Sequence, residues 1–200
     1  MNKGIAFLLS GSLLLTACAE SPVRVEQGRY VTHDGFGFSV GLPQDLVDAG
    51  WTIKADRNPA VSQTSYNFHF MPPEGVEGLV PVTVNSGENG PRETTTETLE
   101  RMLRLRPDLP PVELLTDGPV VLDRWPDVVE IETTWLYSDQ ASSVYQRLVV
   151  WGDLSMEISA NQAVFLNEGE SQQEALARLR ALWPPSLDVA RRIADTLRLK

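Results

Sequence analysis

Residues 128–160 read VVEIETTWLYSDQASSVYQRLVVWGDLSMEISA, and this stretch decides the fold. Apolar and polar side chains alternate over 128–137, 143–151 and 154–160, which is the pattern of half-buried β-strands. Residues 138–141 (SDQA) form a short polar connection between the first two strands. The three segments therefore predict an antiparallel meander in the second half of the chain.

Strand patterns also occur upstream of this meander. Residues 29–42 predict a β-hairpin, because Asp34-Gly35 favours the positive φ angles of a tight turn. Pro81 lies within another strand pattern, and its missing amide hydrogen favours an edge strand or a bulge. The remaining stretches with a strand pattern are 51–54, 66–70, 79–84 and 120–122.

Three helices are predicted from capping signals and apolar spacing. The first is expected to cover about 12 residues and to end at Arg106-Pro107. The second is expected to end at Pro184-Pro185, because proline lacks the amide hydrogen that a helix interior needs. Ser186 then caps a third helix, whose apolar stripe is Leu187, Ala190, Ile193 and Leu197. The pairs with capping-box spacing are Thr94 with Glu97 and Ser171 with Glu174.

This order of elements predicts an α+β fold: an antiparallel sheet with one mid-chain helix and two C-terminal helices packed on it. A length of 200 residues fits one domain of ordinary size better than two. The single domain is expected to span residues 29–200.

The amino terminus is typical of a secretory signal peptide over residues 1–17. Lys3 precedes an apolar run from Ile5 to Leu15, which is shorter than the roughly 20 residues that span a bilayer. The sequence Leu15-Thr16-Ala17-Cys18 resembles the bacterial lipobox. This resemblance implies that a diacylglycerol group is attached to Cys18, that the signal is cleaved before it, and that a further acyl chain is often added.

Ala19, rather than Asp, follows the lipobox, and in Gram-negative lipoproteins this resembles the signal for the outer membrane. One acyl chain binds a membrane marginally, whereas two or three bind it stably. The expected location is therefore the cell envelope, on the outer membrane and facing the periplasm. Residues 18–28 are expected to form a short polar tether between the lipid and the domain.

Two further segments are similar to the PsbP-like fold, a group that includes the DcrB-type bacterial lipoproteins. Residues 35–43 (GFGFSVGLP), followed by Gly50-Trp51, resemble its opening hairpin. Residues 193–197 (IADTL) are similar to its last helix, where an apolar pair precedes a hydroxyl residue. The resemblance covers most of residues 29–199. It implies a domain that binds proteins or assists assembly, and it implies no catalytic residues.

Composition excludes several classes of function. A formal net charge of -10 argues against nucleic acid, whose recognition needs clustered Lys and Arg. The single cysteine excludes an intramolecular disulfide and a Cys-based zinc cluster. His33 and His69 have no convergent ligand partners in the sequence, so no metal or cofactor is predicted. The mature chain contains neither a Gly-x-Ser-x-Gly elbow nor a Ser-x-x-Lys motif.

Three weaker patterns favour structural interpretations. Residues 85–90 only partly match a calcium loop and are better read as a surface loop. Glu130 and Glu132 share a strand face, as paired glycosidase carboxylates do, but a solvated face with Val129 and Ile131 inward is favoured. The aromatic residues that are candidate stacking platforms, and more often core residues, are Trp125, Trp135, Tyr145 and Trp151.

Basic residues concentrate at the carboxy terminus, where residues 171–200 hold six basic and three acidic side chains. This face either pairs with the sheet's own carboxylates or forms a docking surface for an acidic partner or anionic lipid headgroups. The candidate docking residues are Arg191, Arg192 and Arg198.

Together these observations predict a lipid-anchored periplasmic binding or assembly-accessory protein that is not an enzyme. Its partners are expected to be the membrane, through the lipid on Cys18, and a protein. The alternatives left open are a hydrolase or other enzyme with an unrecognised site, and a carrier of an apolar ligand.

Overall fold

The computed structural model describes residues 23–57, 65–88, 94, 97, 120–121 and 128–200. In this part of the chain, two antiparallel sheets and two α-helices are present. The strands are β1 (Val23–Glu26), β2 (Tyr30–His33), β3 (Phe38–Gly41), β4 (Thr52–Arg57), β5 (Tyr66–Met71), β6 (Val82–Glu88), β7 (Val120–Val121), β8 (Val128–Leu136), β9 (Gln140–Trp151), β10 (Leu154–Phe165) and β11 (Arg198–Leu199). The helices are α1 (Gln44–Asp48) and α2 (Gln172–Ala194).

The larger sheet has seven strands in the order β4-β5-β6-β10-β9-β8-β7. Its centre is the predicted meander β8-β9-β10, so that prediction is confirmed, and β10 continues past the predicted end at Ala160 to Phe165. Residues 66–70 also form the expected strand. The strand predicted around Pro81 begins only at Val82, immediately after the proline.

The smaller sheet has four strands in the order β1-β2-β3-β11. Strand β1 lies inside the stretch predicted to be a tether, where Val23 pairs with His33. The β2–β3 hairpin is present, but its turn covers residues 34–37 and the positive φ falls at Gly37 (65°) rather than at Gly35. Phe36 lies in the turn instead of the strand: its amide donates to the Nδ1 of His33 (3.1 Å), and the Gly37 amide donates to the His33 carbonyl (2.9 Å).

Helix α2 is continuous from Gln172 to Ala194, so the predicted break at Pro184-Pro185 is wrong. Ser186 does not cap a new helix; its hydroxyl donates to the Gly78 carbonyl (3.0 Å). Pro184 and Pro185 are exposed residues, as are Arg180 and Ala181, whose carbonyls lose a helical hydrogen bond to the missing proline amides. The helix stays continuous because apolar residues on both sides of the prolines pack in the core: Trp183 and Val189 are both buried.

The predicted fold class is therefore wrong. Instead of one sheet with a mid-chain helix and two C-terminal helices, the described chain has two sheets and one long C-terminal helix. The predicted mid-chain helix lies outside the described residues, except for Thr94 and Glu97, whose backbone and side chains exchange capping hydrogen bonds. The second sheet arises because α1 redirects the chain after β3, whose free edge then pairs with β11.

The main core lies between the large sheet, helix α2 and the small sheet. Ala190, Ile193 and Leu197 are buried there, and Leu187 packs against them in part, as the predicted stripe requires. The first half of α2 covers a second apolar cluster at the other end of β8, β9 and β10.

Candidate functional site

Charged side chains cluster between the second half of α2 and the strands β8 and β9. Glu130 lies opposite Arg147, and Glu132 lies opposite Tyr145, in the register of these strands. Side chains of a strand alternate between faces, so all four point toward the helix. Strand alternation and antiparallel pairing therefore bring acidic and basic groups together beneath α2.

Glu130 is the centre of this cluster, which we call the interface network. Its Oε2 accepts hydrogen bonds from Arg147 (2.8 Å) and from the Tyr145 hydroxyl (3.2 Å). Its Oε1 accepts from the Nε of Arg191 on the helix (2.9 Å). Both carboxylate oxygens are thus occupied by donors from two different layers of the molecule.

The network extends to two more carboxylates. Glu132 accepts from the Trp183 indole (2.9 Å) and from Arg191 (3.4 Å). Asp195, just after the helix, bonds the second terminal nitrogen of Arg147 (2.8 Å). The side chain of Arg147 is only 9% exposed, whereas Asp195 lies at the surface. The network therefore extends from the buried guanidinium of Arg147 to the exposed carboxylate of Asp195.

Burial and hydrogen bonding shift the pKa values of the groups in this network. Burial acts to raise the pKa of Glu130, but hydrogen bonds from Arg147 and Arg191 outweigh it, so the pKa is lowered. Burial acts to lower the pKa of Arg147, and its acidic neighbours hold it above the usual value. Burial raises the pKa of the Tyr145 phenol. Glu130 is therefore ionised near neutral pH, unlike a general acid, which needs a raised pKa.

This arrangement corrects the expected setting of Glu130 and Glu132. They do not form a solvated face: the Glu130 side chain is 15% exposed and engaged by two arginines. Val129 and Ile131 are buried as expected, but against Leu148 on the opposite face of the sheet. The two carboxylates are structural partners of the helix.

The three predicted docking arginines have different surroundings. Arg191 bonds Glu130 and Glu132, and Arg192 pairs with Asp45 and with Asp188 (3.8 Å). Arg198 instead donates to the backbone carbonyls of Asp195 (3.1 Å) and Leu197 (2.8 Å). The first two charges are therefore neutralised by carboxylates of the same chain.

The two histidines have hydrogen-bond partners outside the interface network. His33 is buried among the rings of Phe36, Phe38 and Tyr66, and burial lowers its pKa. Its Nδ1 accepts a hydrogen bond from the Phe36 amide (3.1 Å). His69 contacts the Thr83 hydroxyl (3.2 Å). Within the described ranges, no three His, Cys, Asp or Glu side chains are grouped as metal ligands.

The other face of the large sheet carries a second candidate surface, which we call the polar sheet face. Its side chains lie on β4, β5, β6, β9 and β10, point away from α2 and are part-exposed or exposed. Several are hydrogen-bonded across strands, including Gln146 to Glu157 (3.0 Å) and Ser142 to Asn161 (2.8 Å). The members are Lys54, Asn67, His69, Thr83, Asn85, Gln146, Glu157, Ser159 and Asn161.

The aromatic residues that were candidate stacking platforms have different environments in the structure. Tyr145 is fully buried in the core, and the Trp135 indole donates to Thr133 (2.9 Å). Trp151 is 41% exposed at the β9–β10 turn. Trp125 lies outside the described residues.

Sequence reasoning did not single out Arg147, Trp183 or Asp195 as members of a cluster. Arg147 carried a usable signal, because it alternates in phase with Tyr145 and Val149, the buried face of β9. A charged residue at such a position needs a buried partner. Cys18 and the predicted signal peptide lie outside the described residues. Across the part that is described, no helix has the length and apolar character needed to cross a membrane.

Comparisons with known proteins add little to this picture. No protein-family model matches the sequence, and no curated protein matches it. A crystal structure of a protein from Bacteroides thetaiotaomicron VPI-5482 is similar over 88% of this chain, with 13% sequence identity and a TM-score of 0.41. The match covers 49% of that protein, so this chain spans about half its length. A likeness at this level carries over no activity.

Proposed function

We propose that this protein is a lipid-anchored binding or assembly-accessory protein, without enzymatic activity, on the periplasmic side of the outer membrane. The lipobox-like sequence ending at Cys18 supports the anchor and the location. The binding role is supported by one structural observation: the large sheet buries one face beneath α2, and across β4, β5, β6 and β10 its other face carries mostly polar side chains that are part-exposed or exposed. Val129, Ile131 and Leu148 bury only the β8 side of that face.

The polar sheet face has the chemistry of a recognition surface. Its side chains are mostly amides and hydroxyls, which donate and accept hydrogen bonds without a large desolvation cost. Lys54, His69 and Glu157 supply a few ionisable groups around them. A protein partner with exposed backbone or polar side chains suits such a surface better than an apolar ligand does.

The interface network supports a binding role less directly. Its carboxylates are engaged by arginine, tyrosine and tryptophan donors, which ties them to the fold. The core between the large sheet, α2 and the small sheet is filled by fully buried side chains such as Phe68, Phe70 and Ile158. This packing favours surface recognition over carriage of an apolar ligand.

We also propose a relationship to the PsbP-like and DcrB-like domains. It is supported by a contact between the two segments that carry the resemblance. The Gly41 amide donates to the Thr196 hydroxyl (2.8 Å), and that hydroxyl lies 3.0 Å from the Gly41 carbonyl. A Cβ at Gly41 would stand 2.3 Å from the Tyr30 ring, so this position requires glycine.

Site-specific photocrosslinking tests the binding role. A photoreactive phenylalanine analogue replaces Asn85 on the polar sheet face in the native lipidated protein, and the matched control replaces Arg180 on the exposed side of α2. The proposal predicts a discrete adduct from position 85 that is absent from position 180. Adducts only at position 180, or no discrete adduct at position 85 in intact cells, would contradict it.

A further inference from the structure

We propose that the end of the molecule at the β9–β10 turn rests on the bilayer that holds the acyl chains, with the Trp151 indole among the lipid headgroups. This inference rests on the proposed lipid anchor at Cys18. It specifies which surface faces the membrane, and the occupant of that surface is the lipid headgroup layer. We call this end of the molecule the turn end.

Strand register places several groups at the turn end. Leu154 lies opposite both Trp151 and Glu88, and Tyr66 enters its strand at the same end. The Tyr66 ring is 5.2 Å from the ring of His33, which pairs with Val23. The first described residue of the chain is thus at the turn end.

The short chain between Cys18 and Val23 favours the turn end, rather than the opposite end of the sheet, as the surface that faces the membrane. Cys18 is five residues before Val23, and an extended chain of that length reaches about 17 Å. The opposite end of β10 is Phe165, about 36 Å from Leu154 along the strand. Phe165 is 65% exposed and is the competing apolar group, but Val23, where the described chain begins, lies at the other end of the sheet.

Trp151 has the properties of a membrane-interface residue. Trp151 is 41% exposed, whereas Trp51 and Trp183 are buried. Indole is large and apolar with one N–H donor, and it concentrates at the headgroup level of bilayers. Trp151 alternates with Val149 and Arg147, so it lies on the same side of the sheet as α2 and the small sheet.

Charge alone does not drive this contact. Arg198 and Lys200 lie near the turn end, because Lys200 donates its amide to the Gly37 carbonyl (2.8 Å). Asp153 and Glu88 lie there too and balance them. A short lipid tether makes the contact intramolecular, which raises the effective concentration of headgroups that the indole meets.

Depth-dependent fluorescence quenching tests the orientation. The acylated full chain is reconstituted in vesicles of phosphatidylethanolamine with a minor fraction of phosphatidylglycerol. An environment-sensitive dye is attached at Asp153→Cys, beside Trp151, or at the matched acidic control Glu168→Cys beyond β10. Spin-labelled headgroup lipids should quench position 153 several-fold more than position 168. Adding Trp151→Ala to the Asp153→Cys variant should lower that quenching toward the control.

Three results overturn the inference, or part of it, in distinguishable ways. Equal quenching at both positions, or stronger quenching at 168, with Cys18 shown to be acylated by mass spectrometry, overturns the orientation alone. A chain whose Cys18 carries no lipid removes the tether and overturns the orientation together with the proposed anchor. Quenching at 153 that persists unchanged with Trp151→Ala removes the role of the indole.

Discussion

At the scale of single residues, the guanidinium of Arg147 joins a strand carboxylate, Glu130, to a carboxylate at the end of α2, Asp195. Removing one partner of a buried ion pair typically costs about 3–5 kcal/mol, because the other charge stays buried and uncompensated. The interface network therefore fixes how the helix sits on the sheet as well as stabilising it.

Glu130→Gln should change the acid sensitivity of the fold. The pKa of Glu130 is lowered from 4.5 in the folded protein, chiefly through its arginine hydrogen bonds, which outweigh burial. A carboxyl of this kind stabilises the fold above its unfolded pKa, and that contribution is lost as pH falls through the folded pKa. Urea unfolding should therefore show a wild-type advantage that is constant above about pH 6 and shrinks below about pH 4.5.

The matched control for this titration is Glu168→Gln, an exposed carboxyl in the loop after β10. It should follow the wild type across the whole range. A Glu130→Gln curve that runs parallel to the wild type down to the acid transition would mean that the arginines do not hold this carboxylate in solution.

Ile193 and Arg192 are neighbours on α2 with opposite environments. Ile193 is fully buried, whereas Arg192 is part-exposed and pairs with surface carboxylates. Ile193→Ala should lower the free energy of unfolding by about 2–5 kcal/mol, since it leaves a cavity. Arg192→Ala should lower it by about 0.5 kcal/mol or less. Equal losses in urea titrations of the two variants would show that the helix face is assigned incorrectly.

At the scale of elements, strands were predictable where alternation is long and regular. The meander over residues 128–160 was foreseen because burial on one face forces a period of two. Helix α2 was foreseen at its start, where Ser171 and Glu174 form the capping box. The length of α2 was not predictable, because local rules predict that a helix ends at Pro184-Pro185. Tertiary packing overrides this preference, since Trp183 and Val189 on either side of the prolines are buried.

The double variant Pro184→Ala with Pro185→Ala tests whether α2 is one helix. In a continuous helix the change restores two backbone hydrogen bonds on the solvent side, so the free energy of unfolding should rise by about 1 kcal/mol or more. Part of the gain is offset because alanine leaves the unfolded chain more freedom. Thermal and urea unfolding followed by circular dichroism measure the change. A marked loss of stability would indicate that the prolines terminate one helix and separate it from the next.

At the scale of the whole molecule, the division into two sheets was not predictable from local patterns. The last two residues before Lys200 pair with β3, more than 150 positions earlier in the chain, and neither segment signals this contact by itself. The polar sheet face follows from the alternation that predicted the strands, but its role depends on which face the helix covers. The interface network likewise needed the register that sets Glu130 opposite Arg147.

We propose different roles for different surfaces of one domain. The turn end contacts the membrane to which the tether attaches the chain, and the polar sheet face binds a partner. In the proposed arrangement, the anchor would bring the turn end to the bilayer, and the polar sheet face would be open toward the periplasm. This division holds only if the chain is attached through its amino-terminal cysteine.

The most direct test of the account is therefore the chemical state of the mature amino terminus. Mass spectrometry of the membrane-extracted protein should find a first residue of Cys18 carrying diacylglycerol, and Cys18→Ala should abolish both that modification and the cleavage before residue 18. An unmodified Cys18, or cleavage at another bond, would contradict the central claim.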